Sequence, residues 1–290
     1  MILTADPEHR FPDQLAFLRA FPAYTTAAAG DLVRLWYRGN SGNACLALRE
    51  TAGAVDADGD PALVRHVFNA AAGPLPPEES LPPHPAAHRW LRRRYGGIRP
   101  VLFPAAFEGI AWTILGQQIT VRFAVQLKAN VARAFGREVG SGAEALWVFP
   151  GPEDVAPHGI DELRDLQLSG QKADALLGVA RALASGRWEP GHLGATESEA
   201  AIAELRGFRG IGRWTAEYIL LRVIGHADVF PAGDAGLQRA WARLTGRSGR
   251  AMETELRDAA QAWSGARSDF AFALWLDNLA QRGRPSDIHP

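Results

Sequence analysis

Residues 206–218 read RGFRGIGRWTAEY, with three glycines and no proline in thirteen positions. One helical pattern (197–206) stops at Arg206-Gly207, and a second (213–225) starts just after Gly212. The link between them is therefore a tight hairpin of two helices. Gly210 and Gly212, flanking Ile211, let main-chain N–H groups face outward at the N-terminus of the second helix. Uncovered donors of that kind bind anions, phosphate above all. Leu205, Phe208 and Ile211 are apolar and anchor such a hairpin to the body of a protein. A plain helix–helix turn with glycine caps is the simpler account of a bare G-x-G, so the rest of the chain has to decide.

Helical periodicity extends outward from this link. Over 105–136, Phe107, Ile110, Ala111, Ile114, Leu115, Phe123, Leu127 and Val131 recur at three- and four-residue steps. Similar patterns occupy 161–168, 171–185, 235–245, 251–263 and 268–281, and Gly186, Gly207, Gly225 and Gly246 lie near helix ends, where glycine stops belong. No strand alternation follows residue 95. Upstream, PDQLAFLRAF (12–21) reads as a short helix, and DLVRLWYRGNSGNACLALRET (31–51) alternates across a GNSGN turn, as a β-hairpin does. PALVRHVFNAAA (61–72) opens with proline at a first helical position. GPLPPEESLPPHP (73–85) holds six prolines, which excludes regular structure and marks a linker. The expected architecture is α+β: a small α/β-sheet unit over residues 1–85, then a mainly all-α domain over 86–290.

Composition narrows the class. Of 290 residues, 47% are hydrophobic and 22% charged, the balance of a globular protein. No apolar run nears the ~20 residues needed to cross a bilayer, and MILTADPEHRFPD lacks the basic-then-apolar pattern of a secretion signal. The single Cys45 excludes an intramolecular disulfide and any cysteine-only metal site. A cytoplasmic address is the default that follows. Net charge is −1, but it is unevenly spread: residues 1–88 carry six arginines against ten acids, and residues 89–140 nine basic groups against Glu108 and Glu138. The basic stretch is either a solvated face or a phosphate contact.

The full string L-x-G-F-x-G-I-G-x-W-T-A (205–216), followed twenty residues after Trp214 by Asp234 in DVFPAGDAGL, resembles the helix-hairpin-helix DNA glycosylases, specifically the bacterial 3-methyladenine DNA glycosylase II group. AFEGIAWTILGQQITVRFAVQLKANV (106–131) is similar to that group's first core helix and its GQ turn, and LSGQKADALLGVARALASG (168–186) to the middle of its domain. The resemblance spans about residues 90–282. It implies an enzyme that flips a damaged nucleotide out of double-stranded DNA, requires no cofactor, and engages DNA from one side, for which a monomer suffices.

Residue by residue, the resemblance implies that Gly207, Gly210, Ile211, Gly212 and Arg213 hold phosphates beside the flipped nucleotide. In the family this hairpin often binds Na+ or K+ through backbone carbonyls, here those of Arg206, Arg209 and Ile211. Asp234 becomes the catalytic carboxylate, stabilising the positive charge that builds on the sugar and orienting or deprotonating the attacking water. From the bare sequence it is equally an N-cap for helix 235–245, and the two roles are compatible. Asp228 falls six residues early against the family pattern and reads as structural. Trp214 and Tyr218 share a helix face at i, i+4 spacing, and with Trp275 they match the family's base pocket. In a chain with nine tryptophans, plain core packing is the alternative. An aromatic box suits a base made cationic by methylation. Trp214 also occupies the place of the nucleophilic lysine of relatives that nick DNA, so a Schiff base cannot form there. The endonuclease III branch, with its four clustered cysteines, is excluded as well. The reading is monofunctional. In LGQQIT, Gln118 matches the wedge that fills the gap left by the flipped base, with Gln117 beside it and Ile119 the other candidate. WSGARSDFAFALW (263–275) and PAGD (231–234) depart from the family pattern, which leaves the pocket's shape open.

The leading expectation is excision of alkylated purines, leaving an abasic site. Its rivals are a same-fold enzyme for hypoxanthine, an etheno-adduct or uracil, a DNA-binding protein without catalysis, and an all-α scaffold.

Overall fold

The computed structural model describes residues 1–39, 42–82, 85–140 and 145–281. The chain opens with strand β1 (Ile2–Thr4), helix α1 (Phe11–Ala20), strands β2 (Thr25–Ala29), β3 (Leu32–Gly39), β4 (Gly42–Thr51) and β5 (Ala54–Asp58), and helix α2 (Pro61–Val67). The strands form one antiparallel sheet in the order β1-β5-β4-β3-β2. Period-two alternation sends Val33, Leu35, Leu46, Leu48, Val55 and Ala57 to its buried face, where cross-strand partners such as Leu35 and Leu46 meet. Helix α1 packs Leu15 and Leu18 onto the sheet. The expected hairpin is thus the centre of a larger sheet, and its two central turn residues, 40 and 41, lie outside the described residues. Strands β1, β2 and β5 are too short, or too rich in alanine and aspartate, to stand out from the sequence.

The proline-rich stretch leads into α3 (Ala87–Tyr95). It holds one 3₁₀ turn, Glu78–Ser80, closed by Ser80 N–H donating to the Pro77 carbonyl at 3.0 Å. Residues 83 and 84 are not among those described. Beyond it come α4 (Ala106–Leu115), α5 (Val121–Phe135), strands β6 (Arg137–Val139) and β7 (Leu146–Val148), then α6 (Pro152–Val155), α7 (Ile160–Asp165), α8 (Gly170–Ala184), α9 (Ser198–Arg206), α10 (Arg213–Ile219), α11 (Ala235–Leu244), α12 (Glu253–Ala260) and α13 (Arg267–Ala280). The short β6–β7 ribbon corrects the expectation of no strand after residue 95: three residues per strand are too few for alternation to show. Residues 220–224 continue α10 as a wide π turn, where the sequence suggested one unbroken helix.

The sheet and the helices share one continuous apolar core, from Leu3 to Leu274. Buried Arg99 ties the halves together: its Nη2 bonds Glu8 Oε2 at 3.1 Å and the Gly73 carbonyl at 2.8 Å, and its Nη1 lies 3.2 Å from Asp269 Oδ1. The uneven charge seen in the sequence is partly answered by such contacts. Glu8 also takes Arg92, Glu78 takes Arg93, and Glu108 takes Lys128 at 2.6 Å. The stretch 89–140 is therefore not one free basic face. Arg94, Arg122, Arg133 and Arg137 are exposed and have no acidic partner among the described residues.

Candidate active site

Asp234 caps α11, with its backbone extended at φ −71°, ψ 121°. Its Oδ1 accepts from Gly236 N–H at 2.8 Å and Leu237 N–H at 2.9 Å, as an N-cap should. The capping role and the candidate catalytic role thus fall on one carboxylate, with the cap on Oδ1. Two indoles add what the sequence did not disclose. Trp275 Nε1 donates to Oδ1 at 3.0 Å, and Trp214 Nε1 to Oδ2 at 3.3 Å. Four N–H donors hold the carboxylate in one orientation, three of them on Oδ1. Oδ2 keeps lone-pair capacity toward the cleft.

That cleft has a volume of about 920 Å³, inside the usual range for small-molecule sites. Trp214, Tyr218 and Trp275 all line it. Tyr218 stands between the two indoles, 5.6 Å from the Trp214 ring at 47° and 5.3 Å from the Trp275 ring at 51°. Burial raises the Tyr218 phenol's pKa, and its oxygen accepts from Trp112 Nε1 at 3.4 Å. Phe17 of α1, Phe21 just after it, Trp112 of α4, Arg222, and Arg239 of α11 also line the cleft. Sequence reading missed all five; for Phe17 and Phe21 the reason is that α1 reaches the cleft only by docking onto the helices. The i, i+4 spacing of Phe17 and Phe21 is the one local signal that an aromatic face exists there.

The glycine hairpin lies along one edge of the cleft. Gly210 has φ +83°, and a Cβ there would sit 2.8 Å from Ala175 Cβ of α8; its missing side chain lets the hairpin pack. Gly212 is extended, and a Cβ there would meet nothing within 4 Å. The space in front of it is open. The N–H groups of Gly212, Arg213 and Trp214 find no acceptor among the described residues. Gly207 caps the end of α9, as its place in the sequence suggested, with a right-handed backbone at φ −64°. The Arg213 side chain is held by Glu199 and by Glu217, leaving its backbone rather than its guanidinium toward the cleft edge. The carbonyls of Arg206, Arg209 and Ile211 accept no hydrogen bond from the described residues. No cluster of three or more His, Cys, Asp or Glu suited to a metal occurs among those residues.

The GQ turn faces the hairpin. Gln117 Nε2 donates to the Gly210 carbonyl and to Thr215 Oγ1, both at 2.9 Å, and so braces the hairpin from behind. Gln118 is exposed at the cleft and holds φ +56°, a left-handed conformation rare for a residue with a side chain. Ile119 is half-buried against the core. Asp228 accepts from Gly265 N–H and Arg267 Nη1 and fastens the loop before α13, a structural task.

This arrangement has counterparts. Residues 111–264, more than half of the chain, match the family described as HhH-GPD superfamily base excision DNA repair protein. The chain belongs to that superfamily. Within the HhH-GPD proteins it is similar to the DNA-3-methyladenine glycosylase of Bacillus subtilis (strain 168), with 32% identity over 63% of this chain and 60% of that one. It is also similar to DNA-3-methyladenine glycosylase 2 of Escherichia coli (strain K12), at 32% identity over 63% and 62%. The match thus spans about three-fifths of the length of these curated relatives. Among solved structures, the 3-methyladenine DNA-glycosylase from Archaeoglobus fulgidus aligns with a TM-score of 0.75 and 25% identity, covering 96% of this chain and 98% of that one. The small sheet and the HhH-GPD helices therefore recur together in that protein.

Proposed function

We propose that this protein is a monofunctional DNA glycosylase of base excision repair that flips alkylated purines of the 3-methyladenine type out of double-stranded DNA and hydrolyses their N-glycosidic bond. The observation that carries the reading is Asp234: a carboxylate fixed by four N–H donors on the wall of an aromatic cleft.

Methylation at a ring nitrogen leaves the base cationic and already a good leaving group. The rings of Trp214, Tyr218 and Trp275 suit a flat cation, and no strong general acid is needed to expel it. As the bond breaks, positive charge grows on the sugar, and the Asp234 carboxylate stabilises it without having to reorganise. Oδ2, with a single long hydrogen bond, is the oxygen available to orient and deprotonate the attacking water. The free N–H groups at Gly212–Trp214 would take a phosphate of the same strand. The carbonyls of Arg206, Arg209 and Ile211 would hold a Na+ or K+ ion, adding positive charge beside that phosphate. Gln118, exposed and strained, is the wedge candidate that its geometry supports over Ile119. Trp214 in place of a lysine supports hydrolysis without strand nicking. One face of the protein carries all of these groups, so a monomer suffices.

The test is base release from methylated duplex DNA by the wild-type protein and by Asp234→Asn, with DNA binding measured in parallel. Release should fall by about 10²–10³-fold or more in the variant while binding persists. Unchanged release by Asp234→Asn would sink the assignment.

A further inference from the structure

Behind the aromatic wall lies a charge that the proposed reaction does not use. Arg222, in the π turn after α10, lines the cleft floor yet is only 1% exposed. Its Nε donates to the Val101 carbonyl at 2.8 Å and its Nη2 to the Tyr24 hydroxyl at 2.7 Å. Five rings surround the guanidinium carbon: Phe17 and Phe21 at 5.3 Å, Phe272 at 5.5 Å, Phe103 at 5.8 Å and Tyr218 at 5.9 Å from their centroids. No carboxylate of the described residues lies within 4.0 Å of it.

That sets Arg222 apart from Arg99 and Lys128, while Lys172, which also lines the cleft, bonds only the Leu115 carbonyl, at 2.6 Å. Arg99 faces Asp269 and Glu8, and Lys128 faces Glu108. Arg222 touches only ring faces and two neutral oxygens, so its positive field reaches into the cleft, where the Asp234 carboxylate offsets part of it. Tyr218 is the shared element: Arg222 lies on one side of the ring, and the same ring stands between Trp214 and Trp275. A cation held against an aromatic ring competes for the negative potential that a cationic base would use. It also repels that base directly.

We propose that Arg222 sets the charge selectivity of the cleft, offsetting the preference of the aromatic box for cationic bases so that neutral damaged purines compete for it. The proposal rests on the glycosylase reading of the cleft. It makes Arg222 a specificity-determining residue: a mere peg between the π turn, Tyr24 and Val101 would need the hydrogen bonds but not the charge.

The test compares Arg222→Met, Arg222→Lys and the wild-type chain in single-turnover release of 7-methylguanine, cationic in DNA, and of hypoxanthine, neutral in DNA, from otherwise identical duplexes. For two unit charges several ångströms apart at an effective dielectric near 20, Coulomb's law gives a shift of at least about tenfold. The 7-methylguanine/hypoxanthine ratio of kcat/KM should rise by that factor in Arg222→Met and stay near the wild-type value in Arg222→Lys. A ratio unmoved in folded Arg222→Met, with both rates lowered together, overturns the proposal in favour of a structural peg. Should Arg222→Met not fold, tryptophan quenching of the wild-type protein by two free probes decides instead, 7,9-dimethylguaninium (cationic) and 9-methylguanine (neutral). Comparable affinities support the proposal, and cation binding tighter by more than about tenfold overturns it. Wild-type protein that releases neither base from DNA defeats the glycosylase reading, while the probe comparison still reports on Arg222.

Discussion

The Trp275 indole does two things at once, and the two can be separated. Its ring walls the cleft, and its N–H donates to Asp234 Oδ1 at 3.0 Å. Trp275→Phe keeps most of the wall and removes the donor. A hydrogen bond to a charged group is worth about 1.5–3 kcal/mol, and each 1.36 kcal/mol is tenfold in rate. The single-turnover rate of base release should therefore fall by about tenfold or more, while affinity for DNA changes little. Trp214→Phe removes a longer bond, 3.3 Å to Oδ2, and should cost less. An equal loss of DNA affinity in Trp275→Phe would show that the indole acts through binding instead.

The glycine hairpin raises the same separation of roles one scale up, between Gly210 and Gly212. Gly210 is confined by α8 and left-handed, whereas Gly212 is open and extended. Gly210→Ala combines a backbone strain of about 1–3 kcal/mol with a clash against Ala175, and should lower stability by at least that much in urea denaturation. Gly212→Ala should leave stability within about 0.5 kcal/mol, as substitutions away from packed features do. Its effect belongs to DNA: a methyl group in the open space before the free N–H groups should weaken duplex binding and flatten its salt dependence. Should Gly212→Ala bind DNA like the wild type, the hairpin would not be the phosphate grip.

Across the whole molecule, α3 is locked onto α11 and α13 through a neutral histidine. His88 is buried; its Nδ1 accepts from Trp263 Nε1 at 3.1 Å, and Trp241 and Phe270 pack against its ring at 4.9 and 5.4 Å. Burial pushes its pKa down from 6.5 to about 4. The unfolded chain thus binds a proton that the folded one refuses. This contribution to stability is fully present above pH 6.5 and declines as pH falls toward 4, by about 3 kcal/mol over that window. Urea titrations at pH 7.5 and pH 4.5 should show a larger difference for the wild type than for His88→Gln, which keeps an acceptor for Trp263 without a proton to gain. Equal differences in the two proteins would place the acid sensitivity elsewhere.

The sequence by itself determined the helical body, its hairpin and the position of Asp234, because each is local. Apolar residues at helical spacing, glycines at a turn and a fixed count from Trp214 to the aspartate can be read without knowing what packs where. Local spacing put Trp214 and Tyr218 on one helix face, while the resemblance to the family singled out Gln118. Tertiary structure alone decided the rest. The donation of two indoles to one carboxylate spans 20 and 41 residues of chain. Phe17 and Phe21 reach the cleft across the core shared by sheet and helices, and the stretch 89–140 loses part of its apparent basic face to Glu8, Glu78 and Glu108. Arg222 lies inside a helical run where arginine normally means solvent. Only the convergence of Phe17, Phe21, Phe103, Tyr218 and Phe272 around it makes it a buried charge at the floor of the site. Periodicity reports which face of an element is apolar, whereas the chemistry of this cleft depends on which faces meet.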